Sequence, residues 1–197
     1  GYKAYWADGA QIIAPHDVNI IDNVNRITDV DQIKFQGNPD KIQIIGKEVD
    51  DAFLKEIKGL SLDPEVIKRH ADLKIVYTPI HGTGVELVPD SLRNYGFTNI
   101  IHVPEQDIPD GNFSTVESPN PEVPSAMAMA IERARETDAD VVFASDPDAD
   151  RIGCVVRDRS GNYRLLNGNQ IVMILLNYIM RRNREMGKLK GNEYVVK

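Results

Sequence analysis

The sequence predicts an α/β fold: a doubly wound, mixed but mostly parallel sheet with helices on both faces, flanked by parts of neighbouring domains. Two near-continuous apolar runs, 73–77 and 140–144, have the character of strands buried on both faces. Segments of helical periodicity lie between and around them, and strand–helix alternation is the signature of a parallel sheet built from crossover units. The 197 residues are 42% hydrophobic and 27% charged, the balance of an ordinary globular chain, neither disordered nor membrane-embedded. The longest apolar run, 171–176, is far too short to span a bilayer. No basic-then-apolar leader opens the chain, so a cytoplasmic location is the expectation.

Taken in order, 2–6 and 10–13 are short β-rich runs joined by Asp8-Gly9, a hairpin signal because both turn positions tolerate positive φ. Pro15-His16-Asp17 opens a helical pattern through Val18, Ile21, Val24 and Asn25, with Asp17 as N-cap. A β-type run at 42–45 closes this first block. From 48 to 60 the spacing is helical, with Val49, Phe53, Leu54, Ile57 and Leu60 on one face. Asp63 then caps a short helix that has Pro64 at its first position. After the strand at 73–77 comes the glycine-containing loop Thr78-Pro79-Ile80-His81-Gly82-Thr83-Gly84, whose glycines read as permitting a tight turn. A helix over 85–95 stops at Gly96. A strand at 99–103 leads into a Pro/Asp/Asn-rich loop over 104–121, of the kind that is functional or mobile. A helix follows at 123–137, with Met127 and Met129 as core residues. Beyond the third strand, 152–157 and 163–166 read as a hairpin, and 170–184 as a helix whose Arg181-Arg182-Asn183-Arg184 end is solvated. The ends, 1–6 and 193–197, read as strands already under way or just starting, so the chain has the look of a piece of something longer.

Little else is chemically distinctive. Cys154 is the only cysteine, so no internal disulfide forms; in its apolar run it behaves as a small core hydrophobe. The net charge of −7 argues against nucleic acid, which is held by basic stripes. It does not argue against a phosphorylated ligand, because local charge and metal ions override net charge. Among the histidines, His81 is expected to be hydrogen-bonded within its loop. His16, His70 and His102 are given structural or surface places.

The loop Asp146-Pro147-Asp148-Ala149-Asp150-Arg151 is different. It follows a buried strand directly, and ligands of open α/β sheets gather beyond the carboxyl ends of strands. Three carboxylates at alternate positions repel one another unless something positive joins them. A hard divalent cation with oxygen ligands is the simplest answer, and Arg151 could then orient a phosphate. An EF-hand starting at Asp146 would need Gly at 151 and Glu at 157, where this chain has arginines. A phosphatase of the haloacid-dehalogenase type, with Asp146 as nucleophile, would have Thr or Val after the second Asp, not Ala149. A sugar-nucleotide transferase would need a nucleotide loop, and no such motif is present. An ion-binding module used for assembly is the non-enzymatic reading.

The string Ala144-Ser145-Asp146-Pro147-Asp148-Ala149-Asp150-Arg151 resembles the metal loop of the α-D-phosphohexomutase superfamily, the phosphoglucomutases and phosphomannomutases. Thr78 through Gly84 looks like that family's strand-to-helix turn. Ser118-Pro119-Asn120-Pro121-Glu122 is similar to its Pro-Asn-Pro-Glu loop, and Leu166-Asn167-Gly168-Asn169-Gln170 resembles the entry to its third domain. The motifs occur in the family's order across nearly the whole chain. The resemblance implies the end of a first domain at 1–47, a second domain at 48–157 and the start of a third at 158–197. It implies Mg²⁺ held by Asp146, Asp148 and Asp150, with Arg151 supporting the transferred phosphoryl group. Lys3 matches a lysine that stands near the reacting hydroxyl, its other reading being an exposed strand lysine. The implied reaction interconverts hexose 1- and 6-phosphates through a phosphoserine and a bisphosphorylated sugar; a phosphopentomutase of the same family is the alternative. A sugar phosphate and a sugar bisphosphate are the expected partners, with no nucleic acid and no membrane. The Thr-Ala-Ser-His-Asn-Pro type loop that carries the serine does not occur in these residues, so this stretch alone is expected to lack turnover.

Overall fold

A computed structural model describes residues 3–196; Gly1, Tyr2 and Lys197, on which parts of the two terminal strand expectations fall, lie outside the described residues. The chain divides into two compact units, one up to Ile45 and one from Gly46.

In the first unit the hairpin at Asp8-Gly9 forms, but as a single antiparallel bridge between Tyr5 and Gln11 and not as two strands. Gly9 takes the positive φ of 84° that the turn needs. Helix α1 spans His16–Asn25. Asp17 is not its cap: the Pro15 carbonyl already accepts from Asn19 N–H at 3.0 Å, so the helix is under way before Asp17. The Asp17 carboxylate lies in the first turn, where the helix dipole favours it, and accepts from Val18 N–H at 2.8 Å. His16 meets Trp6 edge-on, ring centres 5.1 Å apart. The run 42–45 is not a strand. It follows a one-turn 3₁₀ helix at Pro39–Lys41, and Ile42, Ile44 and Ile45 are exposed. A β-run becomes a strand only with a partner, and among the described residues this one has none.

The second unit carries the sheet. Helices α2 (Lys47–Gly59) and α3 (Pro64–Arg69) precede β1 (Lys74–Thr78), with the Asp63 side chain capping α3 through Val66 N–H at 3.1 Å. A 3₁₀ turn at Thr83–Val85 leads into α4 (Leu87–Tyr95), closed by Gly96 at φ 121°. Then come β2 (Asn99–His102), α5 (Pro104–Asp107), α6 (Ala128–Thr137), β3 (Val141–Ser145), β4 (Ile152–Arg157), β5 (Tyr163–Leu166) and α7 (Gly168–Glu185). Two expectations shift. The 104–121 segment is not structureless, since α5 opens it. Helix α6 starts only at Ala128, because 123–127 closes in tight turns such as Ala126 N–H to Val123 O at 3.0 Å. No strand forms at 193–196.

The strand order is β2-β1-β3-β4-β5. Strands β2, β1 and β3 run in one direction, β4 opposes β3, and β5 opposes β4, so β5 returns to the common direction. The sheet is therefore mixed, with four strands aligned and β4 reversed. Alternation along the strands divides the core. Val76, Val142, Ala144 and Val155 share one buried cluster with Ala130 and Ala134 of α6. On the opposite face Ile75 and Phe143 look toward Leu92 of α4 and Leu175 and Ile179 of α7. Helices thus cover both faces, as expected. Met127 is fully buried in the first cluster and Met129 packs against it. Cys154 is half-buried in β4, and burial pushes its thiol above the ordinary range. No helix among the described residues is long and apolar enough to cross a membrane.

Helix α7 begins with a reciprocal cap between Asn167 and Gln170. Its basic end is not wholly solvated: Arg182 is largely buried, with Nη2 donating to Leu62 O at 3.2 Å and Nε 3.4 Å from Asp63 Oδ2. Asp63 therefore serves two ends at once. Asp63→Ala removes a helix cap and one of the two carboxylates that face the part-buried Arg182 guanidinium, Glu185 being the other, an expected loss of about 2 kcal/mol. A urea unfolding midpoint lowered to that degree, with unchanged slope, is the expected measurement.

Candidate metal centre

The strand directions fix where the motifs emerge. Strands β1, β2, β3 and β5 all end at one edge of the sheet, so the segments that follow them are brought together there: 78–84, 104–122, 146–151 and 167–170. Packing ties them together. A Cβ added to Gly153, just past the acidic loop, would lie 2.5 Å from Pro121 O, and one added to Gly168 would lie 2.9 Å from Glu122 Oε1.

The acidic loop turns immediately after β3. Ala149 N–H closes a turn on Asp146 O at 2.9 Å, and Ala149 itself takes a left-handed φ of 58°. Asp146 is nearly buried, 8% exposed as a residue, whereas Asp148 and Asp150 are exposed. Asp146 Oδ1 accepts from Asp150 N–H at 3.1 Å and Arg151 N–H at 2.9 Å, so it ties the loop across its own mouth. One oxygen from each of Asp146, Asp148 and Asp150 lies within 4.8 Å of the others. The trio converges and does not splay. Six oxygens about 2.1 Å from a Mg²⁺ stand roughly 3–4 Å apart, so small side-chain rotations bring these three to a common centre. Burial pushes the Asp146 carboxyl above its ordinary range; the Arg151 backbone N–H pulls it back, and the charges of Asp148 and Asp150 push it up again. That repulsion is what a hard cation would relieve. Arg151 relieves only part of it, its Nε standing 3.7 Å from Asp146 Oδ2 and 3.9 Å from Asp150 Oδ1 with the side chain 61% exposed.

The loop is held from outside by 78–84. Thr83 donates twice to Pro147 O, from its backbone N–H at 2.9 Å and its hydroxyl at 3.1 Å. Gly82 approaches so closely that a Cβ there would lie 2.3 Å from Pro147 Cα. The glycine is needed for that approach, not for a tight turn: its own φ is −100°. The left-handed backbone sits on the two residues before it, Ile80 at φ 47° and His81 at φ 63°. Such conformations cost about 1–3 kcal/mol each and persist where the surroundings over-determine them. Gly84 also marks close packing, since a Cβ would meet Tyr77 Oη at 2.3 Å. Tyr77 Oη and Ser145 Oγ share a buried hydrogen bond of 2.8 Å, and burial pushes the phenol up to about 12.

The other sequence candidates divide. Both ring nitrogens of His81 are engaged, Nδ1 with Ile108 O and Nε2 with Thr115 Oγ1, each at 2.8 Å, so it is bonded within its surroundings as expected. His102 Nδ1 pairs with Asp107 at 2.9 Å, and His70 is exposed. Lys3 belongs to the first unit and is exposed. Gln106, Thr115, Tyr77 and Ser145 support the loop, and none of them stands out in the sequence as a site residue. Tyr77 and Ser145 bear one mark there, a polar side chain within an apolar strand; Gln106 and Thr115 lie in α5 and the loop after it and bear none.

Residues 51–161 match the family model described as phosphoglucomutase/phosphomannomutase, alpha/beta/alpha domain II. A phosphoglucomutase of Staphylococcus haemolyticus is 35% identical over 185 residues, 91% of this chain and 33% of that protein. One from Staphylococcus aureus is 35% identical over 190 residues, 94% and 34% of the two chains. The chain thus spans about a third of the length of the curated relatives it matches. A crystal structure of a phosphoglucomutase/phosphomannomutase family protein from Burkholderia thailandensis superposes with a TM-score of 0.54 at 23% identity, over 68% of this chain and 26% of that one, a likeness of fold.

Proposed function

The chain belongs to the phosphoglucomutase/phosphomannomutase family, and from that membership we propose that it carries the metal loop of a Mg²⁺-dependent phosphosugar mutase. On this reading the whole protein interconverts hexose 1- and 6-phosphates through a phosphoserine and a bisphosphorylated sugar. Residues 1–47 close its first domain, 48–157 form its second and 158–197 open its third. The observation that supports the reading most is the convergence of three hard oxygen donors at the sheet edge where the family's other motifs also gather.

Asp146, Asp148 and Asp150 hold the ion. Bound there, Mg²⁺ supplies charge neutralisation at the phosphoryl oxygens as a Lewis acid. The residues of this chain do the rest by position. Asp146, tied to the backbone of Asp150 and Arg151, sets the loop's curvature. Arg151, more exposed than the carboxylate it faces, turns its guanidinium toward the transferring group, where planar paired donors match phosphoryl oxygens. Lys3 is assigned to the reacting hydroxyl, to help move its proton or to stabilise the charge left behind.

The test uses the protein in its full length. Incubation with glucose 1,6-bisphosphate and Mg²⁺ is expected to leave phosphate on a serine outside these residues. Asp146→Asn is expected to abolish that transfer, and in the parent no phosphate is expected on the acidic loop. A phosphoaspartate at Asp146 would overturn the mutase reading in favour of a phosphatase.

A further inference from the structure

Two left-handed residues in succession, one of them β-branched, need something to hold them, and the side chain that does so comes from another strand's exit. Gln106 is fully buried. Its backbone carbonyl accepts from His81 N–H at 2.8 Å. Its Oε1 accepts from the Thr78 hydroxyl at 2.7 Å, and Thr78 Oγ1 in turn accepts from Ile80 N–H at 3.1 Å. Its Nε2 donates to Thr115 Oγ1 at 3.1 Å. Thr115 then has its own proton to give, and the acceptor is His81 Nε2 at 2.8 Å. That leaves the imidazole proton on Nδ1, donated to Ile108 O at 2.8 Å. Each of these polar atoms thus has a partner within hydrogen-bond distance. A buried network connected in this way favours one arrangement. The backbone amides of Ile80 and His81 are both among its members.

The consequences run outward. Ile80 and His81 deliver Gly82 to its contact with Pro147 and Thr83 to its two hydrogen bonds with the Pro147 carbonyl. Pro147 lies between Asp146 and Asp148. We propose that Gln106 is a positioning residue for the metal loop: by locking Ile80 and His81 in left-handed backbone, it sets Gly82 and Thr83 against Pro147 and so fixes the convergence of Asp146, Asp148 and Asp150. Gln106 itself contacts neither ion nor substrate. The proposal rests on the metal-loop reading above.

The test is a Mg²⁺ titration by calorimetry together with amide hydrogen exchange, at a temperature where all variants are folded. Gln106→Leu is expected to weaken Mg²⁺ binding at least tenfold. It is also expected to speed exchange of the Thr83, Asp150 and Arg151 amides at least tenfold. Thr115→Val, which removes one hydroxyl with little change of volume, gives a smaller shift of the same sign and carries the test if Gln106→Leu does not fold. Ala134→Gly, on the buried face of α6 and outside the network, lowers overall stability and leaves affinity and these three amides within twofold. Parent-like affinity and exchange in the Gln106 and Thr115 variants would overturn the proposal, and so would equal shifts in Ala134→Gly. If the parent binds no Mg²⁺ yet the three amides respond as expected, the metal reading falls and the positioning role of Gln106 stands.

Discussion

Asp148→Asn is expected to weaken Mg²⁺ binding by about 100-fold or more while leaving the metal-free chain as stable as before, or slightly more stable. The two effects have one cause. Without an ion, three carboxylates with oxygens within 4.8 Å of one another repel, and Arg151 answers them only at 3.7 and 3.9 Å. Even in a water-like dielectric one such like-charge contact is worth on the order of 1 kcal/mol, so neutralising one member removes a cost. With an ion, the same carboxylate is a ligand and its loss is felt in full. Thermal melts with and without Mg²⁺ separate the two: an ion present at 100 times its dissociation constant stabilises by about 2.7 kcal/mol, and the variant should lose that gain. Acid should act the same way. The folded Asp146 carboxyl is held above its ordinary range, so the folded chain binds that proton more tightly than the unfolded chain does. Its contribution to metal-free stability is fully present below the unfolded value and is lost as pH rises through the folded one. Ion affinity runs the opposite way, falling as the pH drops through the folded value and the proton competes. Parallel slopes in the two measurements, or a parent chain that Mg²⁺ does not stabilise, would remove the loop from consideration as a metal site.

The acidic loop was legible in the sequence because its signal is electrostatic and local. Three like charges directly after a buried strand need no tertiary knowledge to look unusual. The central strands were legible for a related reason: 73–77 and 141–144 are apolar at nearly every position because both faces are covered, by α6 on one side and by α4 and α7 on the other. The failures were of non-local origin. The run 42–45 has β-forming residues, but pairing depends on a neighbour and not on propensity. The apolar spacing of α6 continues back through 123–127, where the backbone makes tight turns instead. Gln106 carries no signal in the sequence. Nothing in its short polar helix distinguishes a glutamine facing solvent from one buried under two threonines and a histidine. The glycines of 78–84 serve a different purpose from the one their residue type suggests. Glycine suggests positive φ, yet Ile80 and His81 carry the left-handed backbone while Gly82 stays in ordinary space and supplies the missing Cβ.

That last point makes Gly82→Ala the most disruptive alanine substitution expected among the described glycines, because the clash is with backbone. The added methyl would lie 2.3 Å from Pro147 Cα, 2.6 Å from its carbonyl oxygen and 2.8 Å from its carbonyl carbon. All three are backbone atoms of the acidic loop, so no rotamer change relieves the clash. Either 82–83 withdraws, which breaks both Thr83 hydrogen bonds to Pro147 O, or the loop shifts and takes Asp146 and Asp148 with it. Overpacking of this kind costs about 1–3 kcal/mol, and two lost hydrogen bonds add about 1 kcal/mol each, so a loss of about 3 kcal/mol or more is expected. Gly59→Ala is the matched control. A Cβ there meets nothing within 4 Å, and the residue ends α2, where alanine is the better helix former. In urea, Gly82→Ala should unfold far earlier than the parent and Gly59→Ala no earlier. The Gly82 variant should also lose Mg²⁺ affinity with all three carboxylates still in its sequence, which separates a misplaced ligand set from a missing one. A Gly82→Ala chain with parental midpoint and affinity would mean that 78–84 does not clamp the acidic loop, and the geometry holding the three carboxylates together would need another source.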